Sequence, residues 1–186
     1  MRPATFEDVD AVRELMVASM AALGPRFYTP EQATAAARYL TVPDSELIED
    51  GTLYVCLSPL PTLQVKPLEE GEFRIVAVGG WSSRLKLFTG SEDQEGLIGR
   101  LDPERDPARI RAFFVDPVYA RRGIARRLYE RCASDARAAG FRSFSLMATL
   151  PGVPLYRSLG FGNERPTVVT LPDGSGLPCI EMSREL

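Results

Sequence analysis

The chain has 186 residues and a mass of 20.5 kDa, the size of one ordinary globular domain, and its 45% apolar and 25% charged residues exclude a mainly disordered chain. A formal net charge of −3, from 22 basic against 25 acidic residues, argues against a bulk nucleic-acid binder. Histidine is absent, which removes Ser-His-Asp triads, Cys-His dyads and imidazole metal sites.

Met1 to Asp8 lacks the apolar stretch of a secretory signal, which predicts a cytoplasmic protein, and no apolar run approaches the ~18 residues a membrane span needs. From Phe6 to Ala22, Val9, Val12, Leu15, Met16, Ser19 and Met20 recur at helical spacing, and Gly24-Pro25 ends this amphipathic helix. Thr29-Pro30-Glu31-Gln32 opens a second helix, with Thr as N-cap, Pro at the first helical position and Gln closing a capping box; it runs to about Tyr39. The period then becomes that of strands at Thr52 to Leu57 and Phe73 to Trp81, and the polar connection Pro59 to Gly71 makes them a predicted hairpin. Ser82 to Ala108, with two Asp-Pro steps, predicts a long loop of the functional or mobile kind.

Arg109 to Val115 is a third strand, stopped by Asp116-Pro117. Ile124, Ala125, Leu128, Tyr129, Cys132, Ala133 and Ala136 form one helical stripe ended by Gly140. Phe141 to Met147 is another strand, Leu155 and Leu159 anchor a short helix closed by Gly160, and Val168 to Leu171 with Leu177 to Met182 form a closing hairpin around Asp173-Gly174. No repeat and no linker divides the chain, so one domain is expected. The order α-α-β-β-β-α-β-α-β-β predicts a mixed sheet with helices on both faces. Cys56, Cys132 and Cys179 form no CxxC pair and read as reduced, buried thiols, with no metal site.

The central signal is the turn Asp116-Pro-Val-Tyr-Ala-Arg-Arg-Gly-Ile-Ala-Arg-Arg-Leu128, where a strand ends and a helix begins. The first-turn N–H groups of a helix have no internal partner, and a glycine there lets a phosphate approach the backbone. Arg121, Arg122, Arg126 and Arg127 surround this helix start, ahead of the first acid, Glu130. Cations there oppose the helix dipole, so they fit a bound polyanion; a solvated basic face is the alternative. The GxGxxG fingerprint of dinucleotide folds is absent.

Phe113 to Leu128 resembles the acetyl-CoA signature Q/R-x-x-G-x-G/A of the GCN5-related N-acetyltransferases (GNAT), and Leu155-Tyr-Arg-Ser-Leu-Gly-Phe161 resembles their F-Y-x-x-x-G-F segment. The motifs lie about 30 residues apart in the family's order, and the resemblance extends over nearly the whole chain. It implies a single α/β (α+β) domain whose central sheet of about seven strands is mixed and mostly antiparallel. The strands Arg109 to Val115 and Phe141 to Met147 would splay around the cofactor's pantetheine arm. Acetyl-CoA would be the co-substrate, without a metal. Its pyrophosphate would sit on the amides of Arg121, Arg122, Gly123, Ile124, Ala125 and Arg126, and its pantetheine would pair with Phe113, Phe114 and Val115. Two positions depart from the pattern: Ala120 replaces the first Gln or Arg, and Arg109 stands where many members carry a catalytic Glu.

Under the resemblance, Tyr156 occupies the general-acid position, and a phenol of pKa about 10 is matched to a thiol of about 8.5. Packing of its ring in the core is the structural alternative. Glu92, Asp93 and Glu95 on the long loop are candidate bases or simply solvated acids, and capture of free amine without a dedicated base is the other route. Phe27 and Tyr28, beside Arg26, offer an acceptor wall or a helix staple, and Trp81 either faces the site or packs in the core. The expected acceptor is a primary amine of a small molecule or peptide, with no nucleic-acid or membrane partner; homodimers are common among proteins of this kind. A non-catalytic acyl-CoA sensor is the alternative function.

Overall fold

A computed structural model of the chain describes residues 1–59, 73–88 and 97–186. Its strands are β1 (Arg2–Pro3), β2 (Leu53–Pro59), β3 (Phe73–Ser82), β4 (Ala108–Val115), β5 (Ser143–Thr149), β6 (Gly162–Thr170) and β7 (Gly176–Glu185), and they form one sheet in the order β1-β2-β3-β4-β5-β7-β6. Every pairing is antiparallel except β4 with β5. That parallel pair is joined only at Ala108 with Phe144 and Arg109 with Ser145, and beyond this point the ladder between the two strands stops. The expected α/β sheet and its splay are therefore present.

The helices follow from local signals. α1 (Val9–Leu23) turns Val12, Leu15, Met16, Ser19 and Met20 inward, as its spacing predicts, and a 3-10 turn over Phe6–Asp8 leads into it. α2 (Pro30–Tyr39) starts in the expected capping box: Gln32 N–H donates to Thr29 Oγ1 at 3.3 Å, and Thr29 N–H donates to Gln32 Oε1 at 3.2 Å. α3 (Ser45–Glu49) was not expected; Asp44 caps it, accepting from Leu47 N–H. α4 (Ile124–Ala138) and α5 (Val153–Ser158) match the predicted stripe and short helix, and each is followed by a glycine at positive φ, Gly140 at 92° and Gly160 at 85°.

Both faces of the sheet are covered. On one, Leu128 and Cys132 of α4 pack with Phe144 and Leu146 of β5 and Met182 of β7. On the other, Met16 of α1 and Leu47 of α3 pack with Val55 and Val78. A third cluster joins Met20 and Ala36 to Leu177 and Cys179. The three cysteines are free and buried. β2 and β3 pair as predicted, while most of their connection (60–72) lies outside the described residues. The long loop is more regular than expected where it is described: Leu85 N–H donates to Gly99 O and Leu101 N–H to Ser83 O, so 97–101 returns beside 83–85. Glu92, Asp93 and Glu95 lie outside the described residues. Among the described residues no helix is long and apolar enough to cross a membrane.

Candidate active site

Where β4 leaves β5, its own regularity breaks. Ala112 has φ 57°, and the register with β3 shifts between Val78 and Gly80. Such a bulge re-aims the residues that follow it. Phe113 and Val115 pack on the α4 side of the sheet and Phe114 on the α1 side. All three line a cavity of about 540 Å³, within the range of small-molecule sites.

The turn after β4 forms one end of that cavity and is held from behind. Asp116 accepts from Val118 N–H at 2.9 Å and is ion-paired with Arg74 of β3. Two guanidinium carbons approach the ring of Tyr119, that of Arg74 at 5.9 Å and that of Arg122 at 5.1 Å from its centroid. Arg121 at φ 64° and Gly123 at φ 77° then bend the chain into α4. α4 has no side-chain cap, and among the described residues no hydrogen bond reaches the N–H groups of Ile124, Ala125 or Arg126. Among the described residues nothing lies within 4 Å of where a Cβ on Gly123 would stand. An open approach, free amides and the positive end of a 15-residue helix are the features that favour an anion at a helix start.

Arg121, Gly123, Ile124, Ala125 and Arg126 line the cavity. The arginine cluster divides in use. Arg122 stacks on Tyr119 outside the lining, while Arg126 lines the cavity and also donates to Ser158 O at 3.1 Å, tying α4 to α5. Ser19, Met20 and Leu23 of α1, with Thr149 at the end of β5 and Pro151 and Gly152 just after it, add to the walls; none was singled out in the sequence as a wall residue. An apolar helical stripe reads the same whether it faces a core or a cavity.

Tyr156 stands one layer behind. It is 8% exposed and is not part of the lining, but its ring edge is 3.1 Å from a Cβ placed on Gly152 and its centroid is 6.4 Å from that of Phe113, two residues that do line the cavity. Burial, and then the Cys132 thiol, pushes its phenol well above the ordinary tyrosine range, so it keeps its proton at every physiological pH. Arg109, at the apex of the splay, donates from Nη1 to Ser145 Oγ, and its Nε has no partner among the described residues. Burial lowers this guanidinium's pKa, with Asp106 and Glu181 acting the other way.

Three further candidates lie away from the cavity. Phe27 is 45% exposed, and Trp81 is buried edge-on against Phe141, 5.9 Å between centroids. Tyr28 is buried too, and it works as a strut: its hydroxyl donates to Pro178 O at 3.0 Å and accepts from Leu150 N–H at 2.8 Å. It thus joins the α1–α2 connection to β7 and to the turn that carries Pro151 and Gly152. Tyr28→Phe keeps the ring but removes the partner of two part-buried backbone groups, so it should cost about 1–3 kcal/mol. Urea unfolding with an unchanged slope checks this; a loss below about 0.5 kcal/mol would show that water replaces the hydroxyl.

Residues 75–186 match the family model described as an acetyltransferase (GNAT) domain. A GCN5-related N-acetyltransferase from Rhodopseudomonas palustris superposes with a TM-score of 0.67 at 17% identity, over 100% of this chain and 94% of that one. The PaiA N-acetyltransferase of Thermoplasma acidophilum, solved with coenzyme A, gives 0.59 at 11% identity over 100% and 97%. A Mycobacterium tuberculosis protein in complex with CoA gives 0.53 at 16% identity over 100% and 98%. No curated protein matches the chain.

Proposed function

Since this chain belongs to the GNAT family of acetyltransferases, we propose that it transfers the acetyl group of acetyl-CoA to a primary amine of a small molecule or peptide, directly and with Tyr156 as general acid. The observation that carries this reading is the open, unbonded amide cradle at Gly123 leading into a cavity bounded by the parted strand β4. When bound, acetyl-CoA supplies the acyl group as a thioester, and a thiol leaves when an amine attacks its carbonyl carbon.

The rest is done by the chain. Backbone amides from Arg121 to Arg126 hold the diphosphate, with Arg121 and Arg126 adding charge. Phe113 to Val115, whose outer edge has lost its β5 partner, offers main-chain groups to the amides of the pantetheine arm. In this reading the buried phenol of Tyr156 gives the proton that the departing sulfur takes up, and its ring adjoins Phe113 and Gly152, which line the cavity. Burial makes it a weaker acid than free tyrosine, so transfer to the thiolate is uphill and relies on the thiolate being equally poorly solvated in the same cavity. For deprotonation, Arg109 is no carboxylate base, and the amine enters as its free base.

The sensor reading retains two observations, Arg109 at the splay and Tyr156 behind the lining. One experiment separates the readings. Tyr156→Phe should lower turnover about a hundredfold while leaving the Kd for CoA within about twofold. An unchanged rate removes Tyr156 as the acid, and no CoA release by the unaltered protein across a broad amine panel leaves the sensor.

A further inference from the structure

The Phe113 ring occupies space that only a glycine at position 79 leaves free. Its Cδ2 and Cε2 lie 2.8 Å, and its Cγ 3.0 Å, from where a Cβ on Gly79 would stand. Gly79 is the residue of β3 passed over at the register shift, opposite the Ala112 break, so the bulge aims the ring and the missing side chain accommodates it. The ring cannot yield in the other direction. Behind it stand Tyr156, with centroids 6.4 Å apart, then Phe161 at 5.7 Å from Tyr156, and Tyr129 at 5.7 Å from Phe161, a chain of tilted and edge-on contacts running into the core under α4. Yet Phe113 itself lines the cavity.

We propose that Phe113, seated on Gly79 and braced by Tyr156, is the floor of the acyl subsite and sets the longest acyl chain that the protein accepts. The inference rests on the transfer reading above and deepens it, from acetyl-CoA as donor to a mechanism for excluding longer acyl-CoAs. A two-carbon acyl group stops short of the ring. Each further methylene presses on a wall with no room to retreat, because interiors are packed as tightly as organic crystals and do not give by a carbon at a time.

Calorimetric titration with CoA, acetyl-CoA, butyryl-CoA and hexanoyl-CoA tests this without any acceptor. The unaltered protein should bind hexanoyl-CoA at least about tenfold more weakly than acetyl-CoA. Phe113→Ala should shift the hexanoyl-to-acetyl affinity ratio about tenfold or more toward hexanoyl, since each methylene admitted to an apolar site is worth about fourfold. Titration with CoA lacking an acyl group measures whatever the substitution costs the pantetheine contacts, and the ratio cancels that loss. Gly79→Ala pushes the ring into the cavity, so it should weaken acetyl-CoA more than CoA. Should Phe113→Ala fail to fold, Phe113→Leu and Gly79→Ala read the same ratio. Equal binding of hexanoyl- and acetyl-CoA by the unaltered protein, or a ratio that these substitutions leave unmoved, overturns the acyl floor while the transfer reading stands. If the unaltered protein binds neither CoA nor acetyl-CoA, the transfer reading itself fails and takes the floor with it.

Discussion

Gly123→Val should weaken acetyl-CoA binding about a thousandfold. Two separate effects contribute. At φ 77° the backbone of residue 123 is left-handed, where a β-branched side chain costs roughly 1–3 kcal/mol that the turn must either absorb or escape by moving. The new methyls also stand in the open space through which a phosphate reaches the α4 amides, removing charge-assisted hydrogen bonds worth roughly 1.5–3 kcal/mol. About 4 kcal/mol together is about three orders of magnitude in Kd. Gly123→Ala bears most of the strain with little of the obstruction and should lose only about tenfold. Calorimetry on both variants, with far-UV circular dichroism to show that α4 persists, measures the difference. A valine variant that binds within tenfold of the parent would falsify the diphosphate cradle.

That turn was legible in the sequence because everything it needs is local. A strand end, a Pro, a Gly and a helix start within thirteen residues fix the backbone before any tertiary contact forms, and the same holds for the Thr29–Gln32 capping box and the glycines that close α4 and α5. Features that depend on a distant partner were not legible. β1 is two residues long and exists through its pairing with Tyr54 and Val55. The first half of β6, Gly162 to Thr167, is an edge with mostly exposed residues and a proline, so it carries no apolar alternation to read. α3 spans five residues, too few for a helical period, although its Asp44-Ser-Glu start holds the cap. Tyr28 shows the same limit at the site: an aromatic on a connecting segment reads as a wall, and only the fold reveals that its hydroxyl is committed to groups 122 and 150 residues away.

The splay likewise has a cause outside its own sequence. β4 is strand-like on both sides of Ala112, and what turns Phe113 toward Tyr156 is a register shift against β3 that a glycine at position 79 permits. The neighbouring Arg111 anchors the strand just ahead of that break. It is 4% exposed, sits 2.5 Å from Asp44, and donates from Nη1 to Glu46 Oε2 at 3.1 Å, so α3 is clamped to β4 where the strand changes direction. The bulge therefore works against a fixed point.

Removing one side of that clamp should be costly. Asp44→Ala leaves a buried guanidinium with only Glu46 among the described residues, a side chain that is partly exposed, and it also strips the cap from α3. Breaking a buried pair in this way costs about 3–5 kcal/mol, which for a chain of this length lowers Tm by about 10 °C. The contact is one of charges more than of aligned hydrogen bonds, since Asp44 Oδ2 and Arg111 Nη2 each lack one among the described residues; burial also raises the Asp44 carboxyl, with Arg111 pulling it back down. The loss should accordingly come from the stranded arginine, and the double variant Asp44→Ala with Arg111→Met, which strands no charge, should recover more than half of it. Calorimetric melts of the two variants decide the point: equal destabilisation of single and double would assign the cost to the lost cap and the cavity instead of to the unpaired cation.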